Sequence, residues 1–261
     1  MSHERKSSIR IVAVTPQIEA KSGRGNRSIN RTPRRSMEGR AAWSRQDIVD
    51  IVEKVGHNTY SSQGSALTSD EQSLRNKALV SFLYLSARRV SEVVGRHVTY
   101  LNPKDVSTVV VDEFKGVGLS DIRETVINEV PVLVFNTRIL KKGRLKQRGL
   151  REMHADTTID LRDSPFSDYI VAWIAHQRLA GKNVLFDIGR HRVYQILRDA
   201  DPLIVGPHWF RHQRLTHLAQ TLDPYALRNV AHWSNLNPAM SYVHNNPIDY
   251  LAACEAARGT N

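Results

Sequence analysis

The sequence has one cysteine, Cys254, so it can form neither a disulfide framework nor a zinc site of cysteine ligands. No apolar run approaches the length of a membrane span, and no long apolar stretch follows the charged N-terminal residues. These two shortages exclude a disulfide-rich secreted protein and predict no membrane helix and no signal peptide. We therefore expect a protein of the cytoplasm.

Acidic residues are also scarce: 26 Asp and Glu stand against 37 Lys and Arg, which gives a formal net charge of +11. The isoelectric point is near 10.0. Such a charge attracts polyanions, and nucleic acid is the commonest polyanion that a soluble protein meets. With 41% apolar residues in 261, the chain can also bury a sizeable core. A basic protein without a nucleic-acid partner remains the alternative at this point.

The positive charge is concentrated in residues 1–42, where basic residues outnumber acidic ones ten to three. Between Lys21 and Arg40 the only apolar residues are Ile29 and Met37. Such a segment buries too little surface to offset the entropy of ordering it. We predict a disordered basic arm that follows DNA, or else a solvated leader, ahead of one folded domain over 43–261.

Local signals predict helices at the start of the folded domain. Ser44 with Asp47 resembles a capping pair, and Thr68 with Glu71 has the spacing of a capping box. Apolar spacing extends the second helix as far as Val94.

The middle of the chain is rich in β-branched residues, which favour strands. Predicted strand segments are Thr108–Val111, Val130–Leu140 and Thr157–Leu161. Helical periodicity returns after Ser164-Pro165, and further helices are predicted over 190–200, 211–221 and 224–232, with short ones at Asn237-Pro238 and Asn246-Pro247. This order predicts a mainly α fold with a small antiparallel β-sheet, an α+β arrangement.

The segment His208-Trp209-Phe210-Arg211-His212 has an H-x-x-R pattern at a predicted helix start. Residues three apart project from the same side of a helix, and a guanidinium beside the free amides of a helix start favours phosphate oxygens. The pattern is weak alone, since many helices carry it by chance.

Together with two other short segments in a fixed order, this one resembles the motifs of the tyrosine recombinase family, to which phage-type integrases belong. The boxes that carry the resemblance are Arg89-Val90-Ser91-Glu92, then His208 to His212, then Ala231-His232 with Tyr242 to His244. The resemblance covers roughly residues 43–250. It implies the recombinase catalytic-domain fold, a double-stranded DNA partner, a homotetramer on paired sites, and no metal or cofactor. It also implies integration, excision or resolution of DNA, often for a mobile element.

The resemblance assigns roles to six residues. Tyr242 would attack a phosphodiester and form a 3′-phosphotyrosyl link. Arg89 and Arg211 would bind its anionic oxygens as charge builds in the transition state, since each can offer a bidentate fork. His232 would donate to the same oxygens, and His208 would manage the proton of the Tyr242 hydroxyl.

The sixth residue is the lysine that protonates the leaving 5′ oxygen, which the family carries on a β-hairpin between the two arginine boxes. The turn from Leu140 to Arg148 lies in that interval. Lys142 is the choice here, followed by Lys141 and then Lys146.

Several alternatives stay open. Arg88 neighbours Arg89 and could be the residue that reaches phosphate, and Tyr250 is a rival nucleophile. A type IB topoisomerase would share the tyrosine chemistry, and a non-enzymatic DNA-binding protein would share the basic surface. The polar segment before Trp43 does not resemble the helical clamp domain of integrases, so we expect a catalytic-domain-only enzyme or a clamp supplied by a partner.

Overall fold

The computed structural model describes residues 43–57, 67–101, 108–140, 154–204 and 206–242, with side chains of 97–101 and 108–112 excepted. Its helices are α1 (Arg45–His57), α2 (Ser69–Ser86), α3 (Val90–Val93), α4 (Phe166–Leu179), α5 (Arg190–Ala200), α6 (His208–Leu218), α7 (Pro224–Ala231) and α8 (Asn237–Met240). Its strands are β1 (Arg96–Leu101), β2 (Thr108–Phe114), β3 (Ile122–Ile127), β4 (Val130–Arg138) and β5 (His154–Asp160). The mainly α, α+β prediction is confirmed.

Capping side chains begin the first two helices, as the sequence predicts. The backbone N–H of Ser44 donates to the Asp47 carboxylate at 2.8 Å. At the start of α2, the Thr68 hydroxyl accepts from the Glu71 backbone, and the Glu71 carboxylate accepts from the Thr68 N–H at 2.7 Å. These bonds satisfy amides that have no partner within the helix.

The second helix is shorter than predicted. It ends at Ser86 and does not continue to Val94, because Ala87 turns into the left-handed region with φ of 50°. Arg89 then adopts an extended conformation and precedes the short helix α3. This break turns the chain direction beside Arg89, where a continuous buried helix would have been straight.

The antiparallel strands form two separate sheets. A three-stranded sheet has the order β3-β4-β5, and β1 pairs with β2 in a two-stranded ribbon. The predicted segments Val130–Leu140 and Thr157–Leu161 overlap β4 and β5, whereas Thr108–Val111 begins β2 in the ribbon. Strand β3 was not predicted because five of its six residues are exposed, so it lacks an apolar face.

The C-terminal helices follow the predicted order. Helix α6 begins at His208, three residues before the predicted start, and α7 ends at Ala231. The predicted helix at Asn246-Pro247 and the predicted arm over 1–42 lie outside the described residues. No helix within the described ranges is long and apolar enough to cross a membrane.

Two hydrophobic clusters support this arrangement. The larger one joins α1, α2, α4, α5 and the three-stranded sheet. The smaller one joins α6, α7 and α8 to the turn after α2, through Ala87, Leu215, Leu227, Ala231, Ala239 and Tyr242. The smaller cluster, called the second core below, contains Ala231 and Tyr242 of the third box, and also Ala87 and Leu215, which lie within three residues of the first and second boxes.

Candidate active site

Arg211 connects the three sequence boxes. Its side chain is 2% exposed and points from α6 into the second core region. Its Nη1 donates to the Ala87 carbonyl, next to the first box, and its Nη2 donates to the Ala231 carbonyl of the third box at 2.8 Å. One guanidinium therefore fixes the relative positions of segments that lie far apart in the sequence.

Arg88 and Arg89 have different environments, although they are neighbours. Arg88 is only 1% exposed and donates from Nη2 to the Val230 carbonyl at 2.7 Å. The Arg89 side chain is 24% exposed, and its Nη1 donates to Oε1 of the fully buried Glu92 at 2.8 Å. Arg89 is thus the one of the pair that reaches the surface, while Arg88 is buried and hydrogen-bonded to the residue before the third box.

The charges of this cluster act on one another. Burial lowers the pKa of Arg211 to about 10, and the positive charge of Arg89 also lowers it, while Glu92 opposes both. Burial likewise lowers the pKa of Arg88 to about 9, with the same opposition from Glu92 and further lowering by Arg211 and Arg89. Among the residues that the structure describes, three guanidinium groups therefore interact with one carboxylate, which leaves positive charge in excess there.

Tyr242 follows α8 and is 9% exposed. Its hydroxyl forms a hydrogen bond with Nδ1 of His212, and its ring stacks on Trp233 with ring centroids 5.6 Å apart. Burial raises the pKa of Tyr242 to about 12, and the nearby charge of Arg211 lowers it in part. The phenol therefore carries its proton at neutral pH and requires a proton acceptor before or during any attack.

This pKa leads to a measurable prediction. The difference between the ultraviolet titrations of the wild-type chain and Y242F is expected to show one phenol that ionises near pH 12, above the ordinary value of about 10. Between about pH 10 and 12 the Tyr242 hydroxyl keeps its proton in the folded chain but loses it in the unfolded chain. Its contribution to the free energy of unfolding is therefore fully present below pH 10 and is lost as the pH rises through about 12. A difference signal centred near pH 10 would contradict the buried position.

Each of the two predicted histidines neighbours a residue that contacts Tyr242. His208 is the first residue of α6, is exposed, and has its ring centroid 5.3 Å from that of His212. His232 is the C-cap that follows α7; it adopts the left-handed conformation with φ of 50° and is half-buried. It precedes Trp233, whose ring lies 5.7 Å from the Arg211 guanidinium carbon.

The predicted lysine, Lys142, lies outside the described residues, as do the alternatives Lys141 and Lys146. The described chain does show where the preceding segment ends. The backbone N–H of Leu140 donates to Glu92 Oε1 at 3.3 Å, and the same oxygen accepts from Arg89. The lysine-bearing segment therefore follows a residue that shares a hydrogen-bond acceptor with Arg89.

The structure brings Arg89, Arg211 and Tyr242 into one interacting group, with His208 next to it through His212. Sequence reasoning gave His212 no role of its own, and it also missed Trp233 as the stacking partner of Tyr242. A signal for His212 was available, since residues four apart share a helix face and His208 and His212 have that spacing.

No family model matches this sequence, and no curated protein matches it. The fold, by contrast, resembles solved structures. The XerH site-specific recombinase in a pre-cleavage complex with its difH substrate aligns with a TM-score of 0.51 at 14% sequence identity, over 81% of this chain and 52% of that one.

The chain has the fold of a tyrosine recombinase catalytic domain. It spans about half the length of the XerH chain. The XerA recombinase also aligns, with a TM-score of 0.44 at 14% identity over 84% of this chain and 65% of that one. In this fold, Arg211 of the second box joins the turn before the first box to the third box.

Proposed function

We propose that this chain is a site-specific DNA recombinase that cleaves and rejoins double-stranded DNA through a covalent link between Tyr242 and a 3′ phosphate. One observation carries the proposal. Arg211 of the second box donates to the carbonyl of Ala87, two residues before the first box, and to the carbonyl of Ala231 in the third, so one guanidinium joins the segments that resemble the recombinase motifs. A chance resemblance in separate boxes gives no reason for them to converge.

The excess positive charge favours an anion at this position. Removing guanidinium groups from water is costly unless they are paired, and here Arg88, Arg89 and Arg211 share the single carboxylate of Glu92. A phosphodiester would supply the missing negative charge, and its oxygens fit the forked donors of arginine. Arg89 is more exposed than Arg88 and Arg211, so it would make the first contact with DNA.

The reaction that fits these groups is in-line displacement at phosphorus. Tyr242 would attack, Arg89, Arg211 and His232 would stabilise charge on the non-bridging oxygens, and the P–O5′ bond would break. A lysine after Leu140, Lys142 first, would protonate the leaving oxygen. The phosphotyrosyl ester retains the energy of the broken bond, so a 5′ hydroxyl from a second duplex can reverse the step.

Assembly and DNA contacts extend the proposal beyond the described residues. The XerH structure is a complex with its DNA substrate. For this chain we propose that it also binds double-stranded DNA and that it forms a tetramer on paired sites. The basic segment 1–42 would follow the DNA backbone. A clamp that closes on the duplex from the other side would come from outside the described residues or from a partner.

A selection for covalent capture tests the proposal on duplexes of many sequences at once. The full chain is incubated with duplexes that contain a randomised central block, denatured in detergent and recovered, and the attached strands are sequenced. We expect an enriched sequence joined through its 3′ phosphate. Two duplexes that carry this sequence should then exchange strands.

Other outcomes identify the alternatives. Relaxation of supercoiled plasmid without an enriched site would indicate a type IB topoisomerase. Salt-sensitive DNA binding with no covalent product would indicate a non-enzymatic DNA-binding protein, because phosphate contacts alone release counterions. Either result would contradict the recombinase proposal.

A further inference from the structure

The hydroxyl of Tyr242 contacts a histidine that the sequence motifs did not assign. His212 lies on α6 directly after Arg211, is half-buried, and its Nδ1 is hydrogen-bonded to the Tyr242 hydroxyl. The two ring centroids lie 5.6 Å apart and the ring planes are inclined by 36°, so the contact is made through the polar atoms rather than by stacking. We propose that His212, rather than His208, is the general base that accepts the proton of Tyr242.

The inference rests on the proposed function and concerns one step of it. His212 follows Arg211 on α6. Because Arg211 is fixed by hydrogen bonds to two backbone carbonyls, the position of His212 is also well defined. Trp233 stacks on the Tyr242 ring, which limits the phenol to a narrow range of orientations. A donor and acceptor that are already aligned lose little entropy when the reaction begins.

The position of His208 suits a different contact. It is the first residue of α6 and is exposed, and its ring meets the edge of His212 at 5.3 Å. The ring of His212 therefore contacts both His208 and Tyr242. An exposed histidine at a helix start faces the solvent side from which a DNA phosphate would approach, so His208 is placed to bind DNA oxygens.

The proton balance of the step is simple. Imidazole Nδ1 accepts when the other ring nitrogen, Nε2, carries the hydrogen, and in this tautomer the phenol O–H of Tyr242 donates to Nδ1. As the Tyr242 oxygen bonds to phosphorus, its proton moves to Nδ1 and gives an imidazolium, while the P–O5′ bond breaks and the leaving oxygen receives a proton from the lysine acid. In rejoining, a 5′ hydroxyl bonds to phosphorus and gives its proton to the neutral lysine, while the imidazolium returns its proton to the phenol oxygen as the phosphotyrosyl bond breaks.

The experiment compares H212A with H208A, using the duplex that wild-type protein recovers in the covalent selection. Single-turnover formation of the adduct is measured with DNA binding, so that a folding defect is recognised. Loss of a general base is expected to slow adduct formation about 100-fold or more in H212A while DNA binding is retained. H176A, on α4 and outside the site, is the control for removal of a histidine and is expected to react like wild type.

Added small molecules separate base catalysis from a structural role. The H212A substitution leaves a space of about the size of an imidazole ring beside Tyr242. Imidazole is expected to restore adduct formation, whereas pyrazole, which has the same shape but is hardly basic, is not. Restoration by both molecules, or full activity in H212A, would overturn the inference, as would imidazole rescue of H208A with no effect in H212A.

Failure of this inference differs from failure of the proposed function. If wild-type protein forms no adduct, the recombinase proposal fails and the base assignment fails with it. If wild type forms the adduct and H212A forms it equally fast, only the assignment of His212 fails.

Discussion

Replacing Tyr242 with phenylalanine is expected to abolish covalent attachment to DNA. The variant retains the ring that stacks on Trp233 but loses the hydroxyl that is bonded to His212. Without that oxygen no phosphotyrosyl ester can form, whatever the remaining groups contribute. DNA binding should stay within a few-fold of wild type, since the arginine groups are unchanged. The adduct is measured on denaturing gels with the selected duplex.

Two controls make this result specific. Tyr225 on α7 is 61% exposed and lies beside Arg228, so Y225F should form the adduct at the wild-type rate. Tyr250, the rival in the sequence, lies outside the described residues. An adduct that survives in Y242F and disappears in Y250F would move the nucleophile and remove the basis of the site described above.

Replacing Arg211 with alanine is expected to have the second largest effect, on both chemistry and folding. Loss of a preorganised charge at the phosphate slows comparable reactions about 100- to 1,000-fold. The substitution also leaves the Ala87 and Ala231 carbonyls without their donor, at about 1–3 kcal/mol for each buried group. We therefore expect a lower denaturation midpoint in urea together with slow adduct formation.

The variant R211K separates the two effects. Lysine keeps the positive charge but lacks the fork that reaches two carbonyls at once, so it should recover part of the rate and little of the stability. Arg228→Ala serves as the matched control, because that guanidinium is hydrogen-bonded to the side chain of its neighbour Asn229 and not to a distant segment among the contacts described. Wild-type stability and rate in R211A would contradict the central position of Arg211.

Local features were predictable because their causes are local. The capping pairs before α1 and α2 depend on side chains three residues apart, and the structure forms both. The end of α2 was not predictable in the same way. Ala87 has high helix propensity, yet it adopts positive φ where the chain must turn and its carbonyl must meet Arg211. Tertiary contacts override the local preference there.

The family resemblance indicated which residues to look for in the site, but not how their contacts would differ. Sequence spacing does not indicate which of two adjacent arginines is buried. The fold shows that Arg88 donates to the Val230 carbonyl, while Arg89 reaches the surface. Likewise, His208 fits the motif for proton transfer, whereas His212 is hydrogen-bonded to Tyr242. Such choices depend on distances between α6 and the chain after α8, and these have no signature in one sequence.

The second core has a consequence for how the proposed activity would be lost. Tyr242 belongs to the same small apolar cluster as Ala87 and Ala231, whose carbonyls hold Arg211. Segments with few apolar contacts open more readily than a main core, and they open as cooperative units. Local opening of this cluster would release the phenol and the guanidinium together, so inactivation by heat should precede melting of the larger hydrophobic body.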